Sequence, residues 1–263
     1  MQAKVTRKLP PIQNSPMAHS TELFPVEEDP FYVSDLLQMA KAENYRRWQL
    51  EIVVPYITGN VLEVGGGIGN FTSELAQAAK SVTSIEPNAY CYDRLVAKTK
   101  ELTNLRVYQA TVEALDLHVP PRDAFDTVIL MNVLEHIKDD EAVLRRLTQK
   151  LSPAGRIVVL VPGGPWAFGS TDERLGHYRR YSKASARELM VRLGLSVEAL
   201  RYYNFIGIWA WWWNAKIGKR MSQSDTQIRL FDKYFVPIIS RIEKVLSPPL
   251  GQSVLVVGRR TPA

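Results

Sequence analysis

The chain has 263 residues, of which 46% are hydrophobic and 23% charged. That excludes a disordered, collagenous or coiled-coil chain, and it is enough for one large or two small domains without disulfide or metal staples. The single Cys91 allows neither an internal disulfide nor a multi-thiolate zinc site, and the whole net charge of +6 lies in residues 205–263, where nine Lys or Arg face three acids.

A basic tail on a neutral body points to a local acidic partner rather than to nucleic acid. No apolar run reaches the roughly 18–20 residues that span a bilayer, and the first residues lack the apolar segment of a secretory signal. The expectation is a soluble, cytoplasmic protein.

Residues 1–30 carry Pro10, Pro11, Pro16, Pro25 and Pro30 among few apolar residues and read as a flexible leader. The spacing of Leu36, Leu37, Ala40, Trp48, Ile52 and Val53 predicts a helix over 34–57. Asn60–Val64 reads as a strand, 70–80 as a helix, 82–85 as a strand and 88–101 as a helix. Strands follow at 105–109 and 125–131, then a helix over 139–151 stopped by Ser152-Pro153-Ala154-Gly155, and a strand at 156–161. Beyond a Gly/Pro/aromatic loop (163–181) come a helix at 183–194, a strand at 196–203, an aromatic patch, a long basic helix and a last strand at 253–258. Strands alternating with helices of this length imply parallel pairing through right-handed crossovers, hence an α/β, doubly wound sheet.

The segment VLEVGGGIGNF (61–71) sets Gly65, Gly67 and Gly69 between a strand and a helix, where bare backbone and a helix N-terminus can meet a ligand. Glu86, at the end of the second strand and 21 residues past Gly65, is at the reach of a carboxylate that accepts from ribose hydroxyls. A dinucleotide fingerprint needs its third glycine where Asn70 stands, and Glu63 would repel a pyrophosphate but suit a methionine ammonium. Both departures favour S-adenosylmethionine.

With E-x-G-G-G-x-G (63–69), Glu86-Pro87, ATVEAL (110–115) and LMNVLEHI (130–137), the sequence resembles class I S-adenosylmethionine-dependent methyltransferases. It is most similar to bacterial small-molecule enzymes of the ubiquinone O-methyltransferase type, over Tyr45 to Leu195. The resemblance implies one Rossmann-like domain over 31–263, with a seven-stranded sheet whose last strand is antiparallel. It implies S-adenosylmethionine as cofactor and S-adenosylhomocysteine as product; methyl transfer from a sulfonium, an in-line displacement, requires no metal. Glu63, Gly65, Gly67 and Gly69 would line the methionine and adenosine side, with Glu86 and Pro87 at the ribose. Thr111, Val112 and Glu113 would flank adenine, Met131 and Asn132 would lie beneath the cofactor, and Arg47 would hold the methionine carboxylate. Many relatives have Asp where Thr111 stands, so Glu113 or a backbone carbonyl must serve here.

In doubly wound sheets ligands sit beyond the carboxyl ends of the strands, so the loops after the fourth and fifth strands should face the methyl acceptor. They supply Asn132, Glu135 and His136, and then 163–181 with Trp166, His177, Tyr178, Arg179, Arg180 and Tyr181. His177 and His136 are candidate bases, with Tyr178 beside them; paired arginines suit a carboxylate or phosphate. The bland readings are a Glu-His pair that only packs and arginines that pair with Asp172 and Glu173. Asp139-Asp140 reads as a solvated helix start.

FIGIWAWWWNAKIGKR (205–220) sets Trp209, Trp211, Trp212 and Trp213 beside Lys216, Lys219 and Arg220, the composition of a membrane-interface segment. After it, Ile228, Phe231, Phe235, Ile238, Ile242 and Val245 form one helical stripe, with a kink expected at Pro237. The region 205–250 therefore reads as a helical cap inserted before the last strand. Its 205–246 part either touches an anionic membrane peripherally or only packs its apolar face on the sheet. Together these readings give a methyltransferase of small aromatic, lipid-like or anionic acceptors, O-methylation preceding N and C, with no nucleic-acid partner. The alternatives are an NAD(P)-dependent oxidoreductase, a nucleic-acid methyltransferase and a non-catalytic cofactor-binding subunit.

Overall fold

A computed structural model describes residues 30–119, 124–213 and 225–261. The leader expected over 1–30 and the cations Lys216, Lys219 and Arg220 thus lie, Pro30 apart, outside the described residues. In chain order the elements are α1 (Pro30–Lys41), α2 (Glu43–Val53), β1 (Asn60–Val64), α3 (Thr72–Ala78), β2 (Ser81–Ile85), α4 (Ala89–Thr99), β3 (Leu105–Tyr108), β4 (Phe125–Met131) and α5 (Asp140–Thr148). Then come β5 (Leu151–Pro162), α6 (Ser170–Arg174), α7 (Lys183–Arg192), β6 (Leu195–Tyr203), α8 (Phe205–Trp212), α9 (Asp225–Leu230), a π turn (Phe231–Phe235), α10 (Val236–Val245) and β7 (Ser253–Arg260).

The seven strands form one sheet in the order β3-β2-β1-β4-β5-β7-β6. β1 to β5 pair in parallel, and β7 runs antiparallel between β5 and β6. The doubly wound sheet with an antiparallel last strand is therefore present. Central strands are buried on both faces and read as continuous apolar runs. In β5, Ile157, Val159 and Val161 join the core under α5 and α7, while Val158 and Leu160 join the core that holds Trp48 and Val53 of α2 and Leu75 of α3. Strand order reverses between β1 and β4, which opens a crevice at their carboxyl ends.

Several boundaries differ from expectation. The first helix is two, broken at Ala42. β5 starts at Leu151, where a register shift against β4 absorbs the Ser-Pro-Ala-Gly stretch, with Ala154 in the left-handed region. The loop 163–181 contains α6, which its Gly and Pro content concealed.

The long basic helix is interrupted. Pro237 has no N–H to give the carbonyl of Lys233, and the chain takes a wider π turn just before it. The expected stripe does not face the sheet: Ile228 and Phe231 are half-buried, and Phe235, Ile238, Ile242 and Val245 are exposed. Asp232, Val236, Ile239 and Glu243 are buried instead. The reason is that both acids cap helices. Asp232 accepts from the backbone N–H of Asn44 (3.2 Å) and Tyr45 (2.8 Å) at the start of α2, which has no side-chain cap of its own. Glu243 accepts from the N–H of Asn204 and Phe205 at the start of α8, each at 2.9 Å.

Candidate active site

A cavity of about 160 Å³ lies at the crevice between β1 and β4. Gly65, Gly66 and Gly67 form its floor, with Met131 and Asn132 at the end of β4. Asp35, Leu36 and Met39 of α1 and Tyr45 and Gln49 of α2 close one side; Glu135, His136, His177, Arg180 and Trp211 close the other.

The glycines are required here. Gly65 has φ +75°, and a Cβ on it would stand 2.5 Å from Val133. Gly67 has φ +54°, a left-handed conformation that other residues rarely adopt, and a Cβ on it would rest in ordinary contact with Leu36 at 3.5 Å. Glu86 stands beside this turn, where its Oε2 accepts from the Gly67 N–H (2.8 Å) and its Oε1 from the Asn88 N–H (2.9 Å). Burial pushes its carboxyl up to about 7. Glu63 is also buried, its Oε2 holding the hydroxyls of Thr72 (2.8 Å) and Ser84 (2.7 Å), and burial raises its pKa. Asn132 takes a left-handed φ of +53°, a conformation Asn tolerates, as the chain turns off β4.

Other expected cofactor residues sit outside this cavity. Val112 is fully buried in the core, so only its backbone could face a ligand, and Thr111 and Glu113 flank it beyond β3. Arg47 points to solvent; one helical step away Arg46 donates from Nη1 to the Asn70 carbonyl at 2.9 Å, beside the glycine loop.

At the acceptor end one carboxylate organises the 163–181 loop. Asp172, on α6, accepts from the Gly169 N–H (3.0 Å), Arg180 Nε (2.7 Å) and Trp211 Nε1 (3.3 Å), and pairs with His177 Nδ1 (2.9 Å). Burial alone would raise its pKa, but the His177 hydrogen bond and the Arg180 charge hold it below the ordinary range. Arg180 also donates to the Gly163 carbonyl (3.0 Å) and lies over the Trp211 ring at 4.5 Å, so the loop and α8 are joined through these two side chains. His177 packs edge-on against His136 with ring centroids 4.7 Å apart. Burial first, and then His177, push His136 down to about 3, which makes it a poor base.

Glu135, placed by the sequence on the loop facing the acceptor but given no role beyond packing with His136, stands at the centre of the cluster. Its side chain is fully buried against this cluster, and neither oxygen has a hydrogen-bond partner among the described residues. Burial pushes it up to about 7 despite the nearby His177. The available signal was an acid inside the apolar LEHI turn. The sequence singled out no role for Asp35, which burial lifts to about 6. Glu135, His136 and His177 bring ligand atoms within 4.8 Å of one another, a donor set that could hold a divalent ion. The metal-free expectation therefore rests on the chemistry of methyl transfer alone.

The remaining acceptor residues are not brought into the cavity. Arg179 pairs with Asp140 (2.7 Å), which also accepts from the buried Tyr181 hydroxyl (2.7 Å). Asp140 is thus a latch for that loop, while Asp139 caps α5 through the Ala142 N–H. Tyr178 is 52% exposed and reaches the site only through its backbone, whose N–H donates to the Glu135 carbonyl. Trp166 stacks at a tilt on Trp209, centroids 5.4 Å apart, at the surface.

Comparison with known proteins bears on the family and the fold. A family model described as a methyltransferase domain matches residues 5–200. An uncharacterized methyltransferase of Bacillus cereus is 34% identical over 111 residues, 41% of this chain and 50% of that one. A tRNA U34 carboxymethyltransferase of Ruthia magnifica is 29% identical over 144 residues, 52% of this chain and 44% of that one. The chain spans about half the length of the curated relatives it matches. Among solved structures, a SAM dependent methyltransferase from Archaeoglobus fulgidus superposes with TM-score 0.57 at 15% identity, covering 83% of this chain and 94% of that one. A second, from Mesorhizobium loti, gives 0.54 at 18% identity, covering 81% and 96%. At such identities the likeness is one of fold. Matched by the family model over more than half its length and built on this sheet, the chain belongs to the methyltransferase-domain family, in its class I form.

Proposed function

We propose that the protein is an S-adenosylmethionine-dependent methyltransferase whose acceptor is a small aromatic or lipid-like molecule offering a hydroxyl. One observation carries this: the bare glycine turn and the Glu135–His136–His177 cluster open onto the same cavity. The residues present fit the cofactor, since a Cβ at Gly67 would enter the gap above the loop. Gly65, Gly67 and Gly69 would let the backbone approach it, Glu86 and Pro87 would hold the ribose, and Glu63 would favour the ammonium side. Thr111, Val112 and Glu113 would flank adenine through backbone and polar groups, with Met131 and Asn132 beneath. When bound, the cofactor supplies an electrophilic methyl group on a sulfonium.

The chain's own task is to align the acceptor and take its proton. Asp172 holds the Nδ1 side of His177, leaving Nε2 to accept the hydroxyl proton, and its negative charge stabilises the resulting imidazolium. An anionic acceptor fits less well, because Arg180 is already paired with Asp172 while Glu135 and Asp35 face the same space. Oxygen precedes nitrogen and carbon as acceptor atom by analogy with the resembled enzymes.

Titration calorimetry with S-adenosylhomocysteine and with NADH tests the cofactor; binding of the first and not the second is expected, and the reverse would install an oxidoreductase. His177→Ala should lower kcat by about 10²–10⁴-fold with product affinity unchanged. Labelled methyl groups should appear in solvent-extractable small molecules. Label in RNA would favour a nucleic-acid acceptor, the reading to which the Ruthia magnifica relative points.

A further inference from the structure

The C-terminal helices are inverted relative to an ordinary surface helix. Over 228–246 both acids, Asp232 and Glu243, are buried, while Arg229, Lys233, Arg241 and Lys244 are exposed, so every outward charge of this segment is positive; Lys244 is neutralised by Glu51 of α2 (2.9 Å), which leaves Arg229, Lys233 and Arg241 as the cations of the face. Between those cations stand large apolar side chains: Tyr234, Phe235, Ile238 and Ile242 are each more than half exposed, and Val245 is 84% exposed. Glu243 joins the end of α10 to the start of α8, where Ile206, Trp209 and Trp213 are exposed as well. Exposed apolar surface on this scale marks an interaction site. Aromatic and aliphatic side chains ringed by Lys and Arg are the composition of a helix lying in a lipid headgroup layer.

We infer that the outward face of the π turn, α10 and α8 docks on the surface of an anionic lipid bilayer. Charge selects this occupant. Two copies of the chain meeting face to face would oppose the same cations, whereas anionic headgroups neutralise them while the apolar side chains enter the acyl boundary. No helix of the described residues is long and apolar enough to cross a membrane, so the contact is peripheral. Trp211 of α8 walls the cavity and donates to Asp172, so the docking face and the acceptor loop share an element. The inference needs no methyl transfer.

The test is flotation of the full chain with mixed phosphatidylglycerol–phosphatidylcholine vesicles and with pure phosphatidylcholine vesicles. Flotation with the mixed vesicles only, reversed by salt, is expected. The double variant Ile238→Glu/Ile242→Glu should cut the bound fraction at least about tenfold. Arg229→Glu/Arg241→Glu, which leaves the apolar face intact, should weaken partition by about fivefold or more per charge. Calorimetry with S-adenosylhomocysteine on each variant shows whether it is folded, and would fail for the unaltered chain too if only the catalytic reading were wrong. Absence of flotation by the unaltered chain, or undiminished flotation of the charge-reversed variant, overturns the inference. So does a dimer that Ile238→Glu/Ile242→Glu splits without any vesicle binding, which would assign the face to a second copy.

Discussion

β5 and α10 are both rich in branched apolar residues, yet they use them in opposite senses. In β5 the run Ile157–Val161 is almost fully buried, feeding two cores by simple alternation. In the π turn and α10 the two acids, Asp232 and Glu243, point inward, held by the N-termini of α2 and α8; Val236 and Ile239 follow them, and Ile238, Ile242 and Val245 are left outside. Apolar content alone therefore does not tell which face a segment buries. The strongest partner decides, and unpaired backbone N–H groups at two helix starts outbid hydrophobic burial for that face.

This contrast can be broken in four ways. Leu160→Ala should cost about 2–5 kcal/mol in chemical denaturation, whereas Ile242→Ala should stay within about 0.5 kcal/mol; similar losses would mean that α10 also buries its stripe. Glu135→Gln sharpens the comparison for a buried acid with no hydrogen-bond partner among the described residues. Its carboxyl sits near 7, above the usual range, so the folded state holds the proton more tightly than the unfolded chain. That contribution is complete below the ordinary carboxylate pKa and is lost as pH rises through 7. The variant should therefore be more stable than the parent at pH 8, by on the order of 2–3 kcal/mol, with little difference at pH 4; thermal melts at the two values check it. Asp232→Ala, which uncaps α2, should cost about 1–2 kcal/mol, read from urea midpoints and from faster exchange of the Asn44 and Tyr45 amides. Finally, dialysis against a chelator should leave turnover unchanged. A loss restored by a divalent cation would assign Glu135, His136 and His177 to a metal site in place of the proton transfer proposed for His177.

Which parts were legible in the sequence follows from range. The glycine-rich turn after β1 is a constraint set within a few residues, and the structure brings Gly65 and Gly67 to one cavity with Met131 and Asn132, while Gly69 and Glu86 do not line it. Arg47 is exposed while Arg46 faces the loop because adjacent helical residues lie 100° apart, and only the packing of α2 settles which of the two turns inward. Arg179 and Tyr181 look like substrate groups beside His177, but their partner Asp140 lies about forty residues away in sequence. For Glu135 the apolar LEHI turn was the one local sign of burial, and only the packing around it showed that the acid is enclosed.

By itself the amino-acid order determined the strand and helix rhythm, the parallel sheet and the ligand-ready glycine turn, because periodicity and backbone freedom are local properties. Only the tertiary structure decided that Asp172 gathers His177, Arg180 and Trp211, that Glu135 has no hydrogen-bond partner among the described residues, and that α10 leaves Ile238, Ile242 and Val245 to solvent. Each of those outcomes depends on which distant donor reaches a buried charge first, and no spacing along the chain encodes it.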